Sequence, residues 1–583
     1  MIMDEQNNRM IFDFAAKQNR ERLLFEKPEK IVAAYKPSEV LKAMQEIDTY
    51  IHAGWYAAGY ISYEAGKGLD DSLITKENNT MPFVYFGIYK EPVKIPFQNN
   101  QLHDDTDINL NWEMNESEKD YKKKVDAIKK HISDGDTYQV NYTVRLSTDD
   151  TFDDARYYEQ LLKAQDAKYS AYLDLGRFRI LSVSPELFFE IDNGKISTKP
   201  MKGTIKRGRW FEEDIANRNV LVHSEKDKAE NLMIVDLLRN DLSKIAKTGT
   251  VQVPKLFEVE QYPTVYQLTS TVTADLVDNI SFTEIFQALF PCGSITGAPK
   301  VSTMAIINEL EATPREIYCG SIGYITPKKQ AVFNVAIRTL MVDTQINKAY
   351  YGVGGGITWE STSDGEYKEA IAKSAVLYEK IPSFELMETI RYEHNTFYLI
   401  ENHLERIYKS AQYFNIPFHG EDIKKKLTEH AETLPKDQIT KVNLFVDLQG
   451  NCRIKSSPFD GNNSHRKARL ASSPILKDNK FLYHKTTNRA LYEKHKEGRQ
   501  DEILLWNEEK ELTEFTIGNL VVKWEQEYWT PPIESGLLPG TLREHLIRTG
   551  KVKERKLLKE NIKDFEEIWL INSLRGWVKI NLV

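Results

Sequence analysis

The sequence predicts an α+β protein built from two unlike parts, and three observations carry that expectation. Strand-like runs (AAGYISYEAG, MPFVYFGIY, AYLDLGRFRILSV) alternate with long helical patterns through the first part. A helix running from about Gly365 to Lys380 is stopped by Pro382, after which strand patterns restart with IPSFELMETIR. The chain has 583 residues, too many for one small module at about 150 residues per domain. The expected boundary lies near 381–384, giving parts 1–381 and 384–583.

Composition excludes several classes. Charged residues make up 28% and hydrophobic residues 41%, with 29 Gly and 21 Pro in no periodic arrangement, so neither a collagen-like nor a disordered chain fits. The formal charge of −8 is mild and well mixed, which points away from nucleic acid and toward small ligands. The three cysteines, Cys292, Cys319 and Cys452, show no C-x-x-C spacing, which implies a reducing compartment. The start MIMDEQNNRM has no basic-then-apolar leader pattern, and no run approaches the ~18 apolar residues of a membrane span. A cytoplasmic protein is expected, with no membrane partner.

Along the first part, Tyr121, Val125, Ile128 and Ile132 recur at helical spacing before Gly135, which reads as one buried helix face with a glycine C-cap. In STKPMKGTIKRG, Lys202 is expected in a short Gly-bounded turn, sixteen residues after Glu186 of SPELFFE. A partly desolvated Lys can lose its proton and attack carbon while a nearby Glu acts as general acid; the bland alternative is a surface lysine in a basic loop. The helix SEKDKAENLMIVDLLRNDL sets Glu230 on an apolar face, where it needs a metal or a counter-charge such as Lys226 or Arg239. In QAVFNVAIRTLMV, Phe333, Val335 and Ile337 alternate with Asn334, Ala336 and Arg338, a strand whose second face would offer a guanidinium to an anion.

The segment YGVGGGITWESTSDGEYKEAIAKS leads from Gly352, Gly354, Gly355 and Gly356 into a helix with Glu366, Glu369 and Lys373. At about 100° per residue those three side chains fall within about 60° of arc. Bare glycine backbone can approach a carboxylate, and paired Glu side chains suit an oxygen-liganded ion such as magnesium; a flexible turn followed by a solvated charge pair is the competing reading.

The second part offers Lys485 in a polar turn opening a helix (YHKTTNRALYEKH), Glu514 in ELTEFTIGNL, and Gly540 and Thr541 at a helix start in GLLPGTLREHL. A lysine for a Schiff base, a carboxylate for a pyridinium N–H and a phosphate cradle are what pyridoxal 5'-phosphate requires. Singly, each is an ordinary lysine, strand-edge glutamate or turn glycine.

In order, SPELFFE, KPMKGTIKRG, AENLMIVDLLRND, FPCGSITGAPK, YCGSIGYI, FNVAIRTL and GVGGGITWESTSDGEYKEAIAKS resemble the chorismate-utilising enzymes over nearly all of residues 1–380. The residue before G-T is Ala in anthranilate synthases and Lys in aminodeoxychorismate synthase component I; here it is Lys202. The resemblance implies that Lys202 adds to C2 of chorismate as the C4 hydroxyl leaves with acid help from Glu186, and that ammonia then enters at C4. Gln139 stands where isochorismate and salicylate synthases carry a water-activating Lys. Gln267 stands where anthranilate synthases usually have a His that assists pyruvate elimination. The resemblance also implies a magnesium shell of Glu230, Glu366 and Glu369, and contacts to chorismate from Arg338, Tyr318, Lys373, Thr204 and the Gly354, Gly355 and Gly356 amides. No tryptophan-binding residues of feedback-regulated relatives are evident. No cysteine sits in a glutaminase-like turn, so a separate glutamine amidotransferase partner is expected to supply ammonia.

With FELMETIRYEHNTFYLIENHLERI, the second part resembles the fold-type IV pyridoxal phosphate enzymes, which include aminodeoxychorismate lyase. The H-x-x-R pattern supplies Arg406 as the phosphate-contacting arginine, Leu404, Ile407, Ala411 and Phe414 form the buried stripe, and Thr389 matches a pocket threonine. About 25 residues of that family's start are missing. The fold implied is a large two-layered sandwich of antiparallel sheets followed by an α+β pyridoxal domain. Together the parts imply 4-aminobenzoate formation for folate synthesis. An anthranilate-type synthase joined to an aminotransferase, or a synthase with a non-catalytic docking module, are the alternatives.

Overall fold

A computed structural model describes residues 8–16, 19–77, 80–96, 108–378, 382–460, 466–496 and 501–583. The polar start of the chain, the expected helix end at Lys380 and Ile381 of the expected boundary lie outside those residues. The backbone groups into two units, residues 1–206 with 220–381 and residues 207–219 with 382–583.

The first unit holds two ten-stranded sheets. In one, Gln139–Thr148, Lys348–Ile357, Thr339–Asp343, Phe178–Ser184, Tyr169–Asp174, Arg9–Ala16 and Asn19–Glu26 lie side by side. In the other, Met201–Lys206, Val265–Asp275, Lys195–Lys199, Leu187–Asp192, Ala331–Val335, Ser321–Ile325, Tyr56–Ile61 and Val84–Tyr89 do so. Neighbouring strands pair antiparallel throughout. Alternation assigns the faces: Met10, Phe12 and Phe14 from the first sheet pack with Tyr60, Tyr85 and Ile322 from the second, whereas Ile11 turns to the opposite face. The helices cover the outer faces. Helix Glu118–Asp134 buries Tyr121, Val125 and Ile128 and ends at Gly135 with φ +86°, as its spacing predicts.

The second unit has a four-stranded sheet and an eight-stranded sheet. In the small sheet Leu386–Glu393 pairs with Thr440–Val446, and helix Ile400–Tyr413 covers it through Leu404, Ile407 and Ala411. In the larger sheet Leu512–Phe515 pairs with both Glu502–Trp506 and Gly518–Trp524, which closes the strands on themselves, with parallel pairing at Arg466–Leu470.

Residues 207–219, only a few positions beyond Lys202, pack inside this second unit. Arg207 is clamped by Asp214 through Nε and Nη2, both at 2.7 Å, and donates to Tyr413 O at 2.7 Å. Tyr413 in turn donates its hydroxyl to Gly208 O at 2.8 Å. Trp210 lies against Tyr483, ring centres 5.3 Å apart, and Lys409 pairs with Glu212 at 2.8 Å. The sequence reading took this stretch as part of the first unit; its buried aromatic and ionic contacts are with residues 409–413 and 483.

Among the described residues no helix is long and apolar enough to cross a membrane.

Candidate active sites

Lys202 lies in the strand Met201–Lys206, not in the expected turn. Pairing with Val265–Asp275 slips between Met201 and Thr204, and Gly203 adopts φ +89° against the Asp227 side chain. Such a bulge re-aims the neighbouring side chain. Asn231, fully buried on helix Glu225–Ser243, holds the bulge by donating to Lys202 O at 3.5 Å and Leu268 O at 3.3 Å. Desolvation is the main cause that lowers the pKa of the Lys202 amine; Lys373 adds to it, while Glu230, Glu186 and Glu369 oppose it.

Glu186 is 4% exposed, its carboxyl is pushed up to about 7 by desolvation, and Ser294 and Lys202 act against that shift. Its Oε1 has no hydrogen-bond partner. Glu186 thus keeps its proton to higher pH than a free carboxyl, and Lys202 releases its own more readily than a free amine, which are the shifts an acid and a nucleophile need. Gln139 is 0% exposed and neither atom of its amide is paired. A β-carbon on Gly356 would lie 2.5 Å from Gln139 Nε2 and 2.8 Å from Lys202 Nζ, so this glycine keeps the two side chains and the space between them.

The glycines are not a flexible turn but part of the strand Lys348–Ile357, with Gly354, Gly355 and Gly356 opposite Thr143, Tyr142 and Asn141. A β-carbon on Gly355 would meet Glu366 Oε2 at 3.2 Å, Glu369 Oε1 at 3.5 Å and Lys373 Nζ at 3.5 Å. Helix Ser363–Ser374 presents those three groups and is capped by Thr362; it begins two residues before the expected start and gives way to a 3-10 turn at Ala375. Lys373 donates to Gly354 O at 2.8 Å and pairs with Glu369 at 2.7 Å, and this charge holds Glu369 below the usual carboxylate range. Burial pushes Glu366 up although it accepts from Ser361 at 2.6 Å, and likewise Glu230, which has Lys226 at 4.0 Å. Arg239 pairs with Asp236.

Three further expected substrate contacts have these local surroundings. The strand containing Phe333 ends at Val335; Arg338 follows it in a bend with φ +49° and donates to Gln165 at 2.5 Å. The alternation that put Arg338 on a strand face stops because Ala336 and Ile337 leave the ladder. Tyr318 packs against Gly352, where a β-carbon would fall 2.2 Å from its ring. Thr204 is exposed and pairs across the ladder with Gln267.

In the second unit one cavity of about 500 Å³ is lined by Thr389, Arg406, Lys485, Glu514, Gly540 and Thr541. Lys485 lies in extended chain with its carbonyl accepting from Met387 N at 2.9 Å, and the next helix starts only at Ala490, later than expected. Desolvation first and Arg406 second pull its amine down to about 8. Glu514, 3% exposed, accepts from Tyr492 Oη at 2.8 Å and Asn519 Nδ2 at 3.2 Å, and desolvation pushes it up to about 7. Thr389 donates to Asn443 Oδ1 at 3.1 Å.

Arg406 lies under the cradle. Its Nε and Nη2 donate to Glu388 at 2.8 and 2.7 Å, and its Nη1 donates to Pro539 O at 3.1 Å. His403 contacts the same carboxylate through Nδ1 at 2.6 Å. Gly540 caps helix Thr541–Arg548, and a β-carbon there would strike Asn519 Oδ1 at 1.9 Å. Asn231, Ser294, Glu388, Tyr492 and Asn519 escaped the sequence reading; His403 was visible as the first letter of H-x-x-R.

The residues fit one of the two groups that the sequence suggests. Lys485, Glu514 and the bare backbone at Gly540 give pyridoxal phosphate an amine, an acidic partner and an anion-binding helix start around one cavity. Among the described residues no group of three or more His, Cys, Asp or Glu side chains is gathered to hold a metal. Even so, Glu230, Glu366 and Glu369 are the hard oxygen donors magnesium takes, with Lys373 now standing as counter-ion to Glu369.

Comparison with known proteins matches two stretches of the chain. Residues 1–379 match the family described as chorismate binding enzyme, and residues 385–583 match amino-transferase class IV. Aminodeoxychorismate synthase component 1 of Escherichia coli K12 is 36% identical over 341 residues, 54% of this chain and 75% of that protein. The protein of the same name from Salmonella typhimurium is 39% identical over 302 residues; the match takes in 52% of this chain and 64% of that relative's length. Anthranilate synthase component I from Streptococcus pneumoniae shares the fold, with a TM-score of 0.52 at 24% identity over 64% of this chain and 90% of that one.

Proposed function

The chain belongs to the chorismate binding enzymes, followed by a class IV aminotransferase domain, and from that membership we propose that it makes 4-aminobenzoate from chorismate in two steps. Residues 1–381 form 4-amino-4-deoxychorismate, with ammonia from a glutamine amidotransferase, and residues 384–583 remove pyruvate from it, in the cytoplasm, toward folate. One observation carries the reading: Lys202, whose amine pKa burial lowers, meets the unpaired amide of Gln139 at the space kept by Gly356, and interacts electrostatically with Glu186, whose carboxyl burial pushes up to about 7.

In the first step Lys202 Nζ bonds to C2 of the ring while Glu186 gives its proton to the departing C4 hydroxyl. Ammonia bonds to C4, the Lys202–carbon bond breaks, and the amine is restored. Gln139 is an amide and cannot serve as a base for water, which supports ammonia as the entering nucleophile. Glu230, Glu366 and Glu369 would hold magnesium, which supplies positive charge for a substrate carboxylate. Lys373, Thr204, Tyr318, Arg338 and the amides of Gly354, Gly355 and Gly356 are the proposed substrate contacts.

In the second step pyridoxal phosphate supplies an electron sink for the carbon that bears the amine. Glu514 would share a proton with the ring nitrogen. Arg406, Gly540 and Thr541 would bind the phosphate end, and Thr389 would line the substrate side. Lys485, with its amine near neutrality, takes the C4 proton as pyruvate leaves and the ring becomes aromatic.

Product identification tests the reading. Chorismate, magnesium and ammonium salt should yield 4-amino-4-deoxychorismate, and added pyridoxal phosphate should convert it to 4-aminobenzoate. Formation of 2-aminobenzoate would replace the first step, and a product unchanged by pyridoxal phosphate would reduce the second part to a docking module.

A further inference from the structure

The phosphate end of the second site has a proton problem. Glu388 is 1% exposed, and Arg406 and His403 hold its carboxyl down to about 2, so it is ionised and can only accept. His403, 0% exposed, therefore carries its proton on Nδ1, donating to Glu388 Oε2 at 2.6 Å. Its other nitrogen, Nε2, faces Thr541 Oγ1 at 3.4 Å. In neutral His403 that nitrogen is an acceptor, and the Thr541 hydroxyl has a single proton to give. A hydroxyl that donates to His403 offers only lone pairs to an anion.

We propose that His403 is a positioning residue for phosphate: binding of a phosphate monoester dianion at Gly540–Thr541 draws one proton from solvent onto His403 Nε2. This rests on reading the second unit as a pyridoxal phosphate enzyme. Protonated His403 donates to Thr541 Oγ1, which turns the Thr541 hydroxyl proton toward the phosphate oxygen. No bond other than these hydrogen bonds changes. The groups facing His403 from the surrounding elements are Glu388 on its strand, Arg406 one turn along the same helix, Lys485 from the extended segment, and Thr541. Desolvation, with Arg406 and Lys485, keeps the free imidazole neutral against the pull of Glu388. A phosphate dianion beside Thr541 adds the negative charge that reverses the balance. Thr541 and His403 are thus coupled: whichever way the hydroxyl points fixes the charge on the ring.

Full-length protein titrated with pyridoxal phosphate and with pyridoxal, following cofactor absorbance, provides the test, because the ratio of the two dissociation constants cancels the chemistry at Lys485. Phosphate ionises a second time at about pH 6, so the informative range is about pH 7 to 8.5. Affinity gained by proton uptake falls as pH rises, by up to about tenfold per unit, while His403 is neutral in the free protein and charged in the complex. The advantage of pyridoxal phosphate over pyridoxal is expected to fall by that slope in wild type. In H403Q, whose amide nitrogen donates to Thr541 at every pH, it should stay flat. T541V, which leaves the His403–Glu388 bond in place, should also be flat with a smaller advantage, and it guards against misfolding of H403Q. A flat wild-type ratio, or a slope that survives in T541V, overturns the proposal. Equal affinity for the two compounds at every pH overturns the cofactor reading as well.

Discussion

Gln139 Nε2 and Lys202 Nζ converge on one backbone position, Gly356, where a β-carbon would lie 2.5 Å from the amide and 2.8 Å from the amine. The strand Lys348–Ile357 therefore cannot carry even an alanine there without displacing one of them. G356A is expected to fold, because the strand pairs normally and its φ is not in the left-handed region. Its turnover of chorismate should drop about 100-fold, the cost of shifting a reacting group by about 1 Å. Chorismate consumption beside a thermal melt checks this, and unchanged turnover would show that the space at Gly356 is not used.

In the proposed first step Lys202 and Glu186 set a pH dependence whose sign can be worked out. The amine attacks only when unprotonated, so the rate falls as pH drops through its lowered pKa. The acid works only when protonated, so the rate also falls as pH rises through about 7. A bell-shaped kcat/KM profile is expected, with its two limbs belonging to the coupled pair. E186Q should lose the alkaline limb and K202A nearly all aminodeoxychorismate formation. K202A with wild-type turnover on ammonium and magnesium would remove the covalent step.

How much of this was legible follows from what carried each signal. The helix face Tyr121, Val125, Ile128 was readable because burial imposes its period on the sequence. The carboxylates of helix Ser363–Ser374 were readable for the same reason. Arg338 was misplaced because the alternation of Phe333 and Val335 runs on in sequence through Ala336 and Ile337, while the ladder stops at Val335. For the glycines of Lys348–Ile357 the sequence left a turn as the competing reading, since a glycine that permits close approach of a side chain looks the same as one that permits a positive φ. Asn231, Ser294 and Asn519 left no trace because single polar residues show no period; only their buried contacts across the fold identify them.

Glu388 also makes a prediction about stability. Its carboxyl is held at about 2 in the folded protein, below its value in the unfolded chain. A depressed carboxylate contributes stability that is present above the unfolded pKa of about 4.3 and is lost as pH falls through the folded value. E388Q leaves the Arg406 guanidinium buried without its counter-charge, which costs about 3–5 kcal/mol. Urea unfolding of the second unit should show that loss at neutral pH and a smaller difference between wild type and E388Q at about pH 3. Equal stability of the two proteins at neutral pH would mean that the carboxylate is not the clamp.

The last prediction concerns residues 207–219, which the structure places in the second unit. Arg207 and Asp214 have side chains 4% and 2% exposed and make a two-bonded ion pair, and Arg207 also donates to Tyr413 O. D214N leaves a buried guanidinium uncompensated, at about 3–5 kcal/mol. Tyr413 touches His484, ring centres 4.2 Å apart, and His484 precedes Lys485. Loosening the segment should therefore be felt at Lys485. Hydrogen exchange on full-length D214N is expected to rise in peptides covering 400–414 and 480–487, and pyridoxal phosphate affinity to fall, while peptides from 139–148 and 348–357 exchange as in wild type. W210A, which removes a ring from Tyr483 but no charge, should show the same pattern more weakly. Wild-type exchange at 480–487 in both variants would mean that the segment lies on the second unit without supporting it.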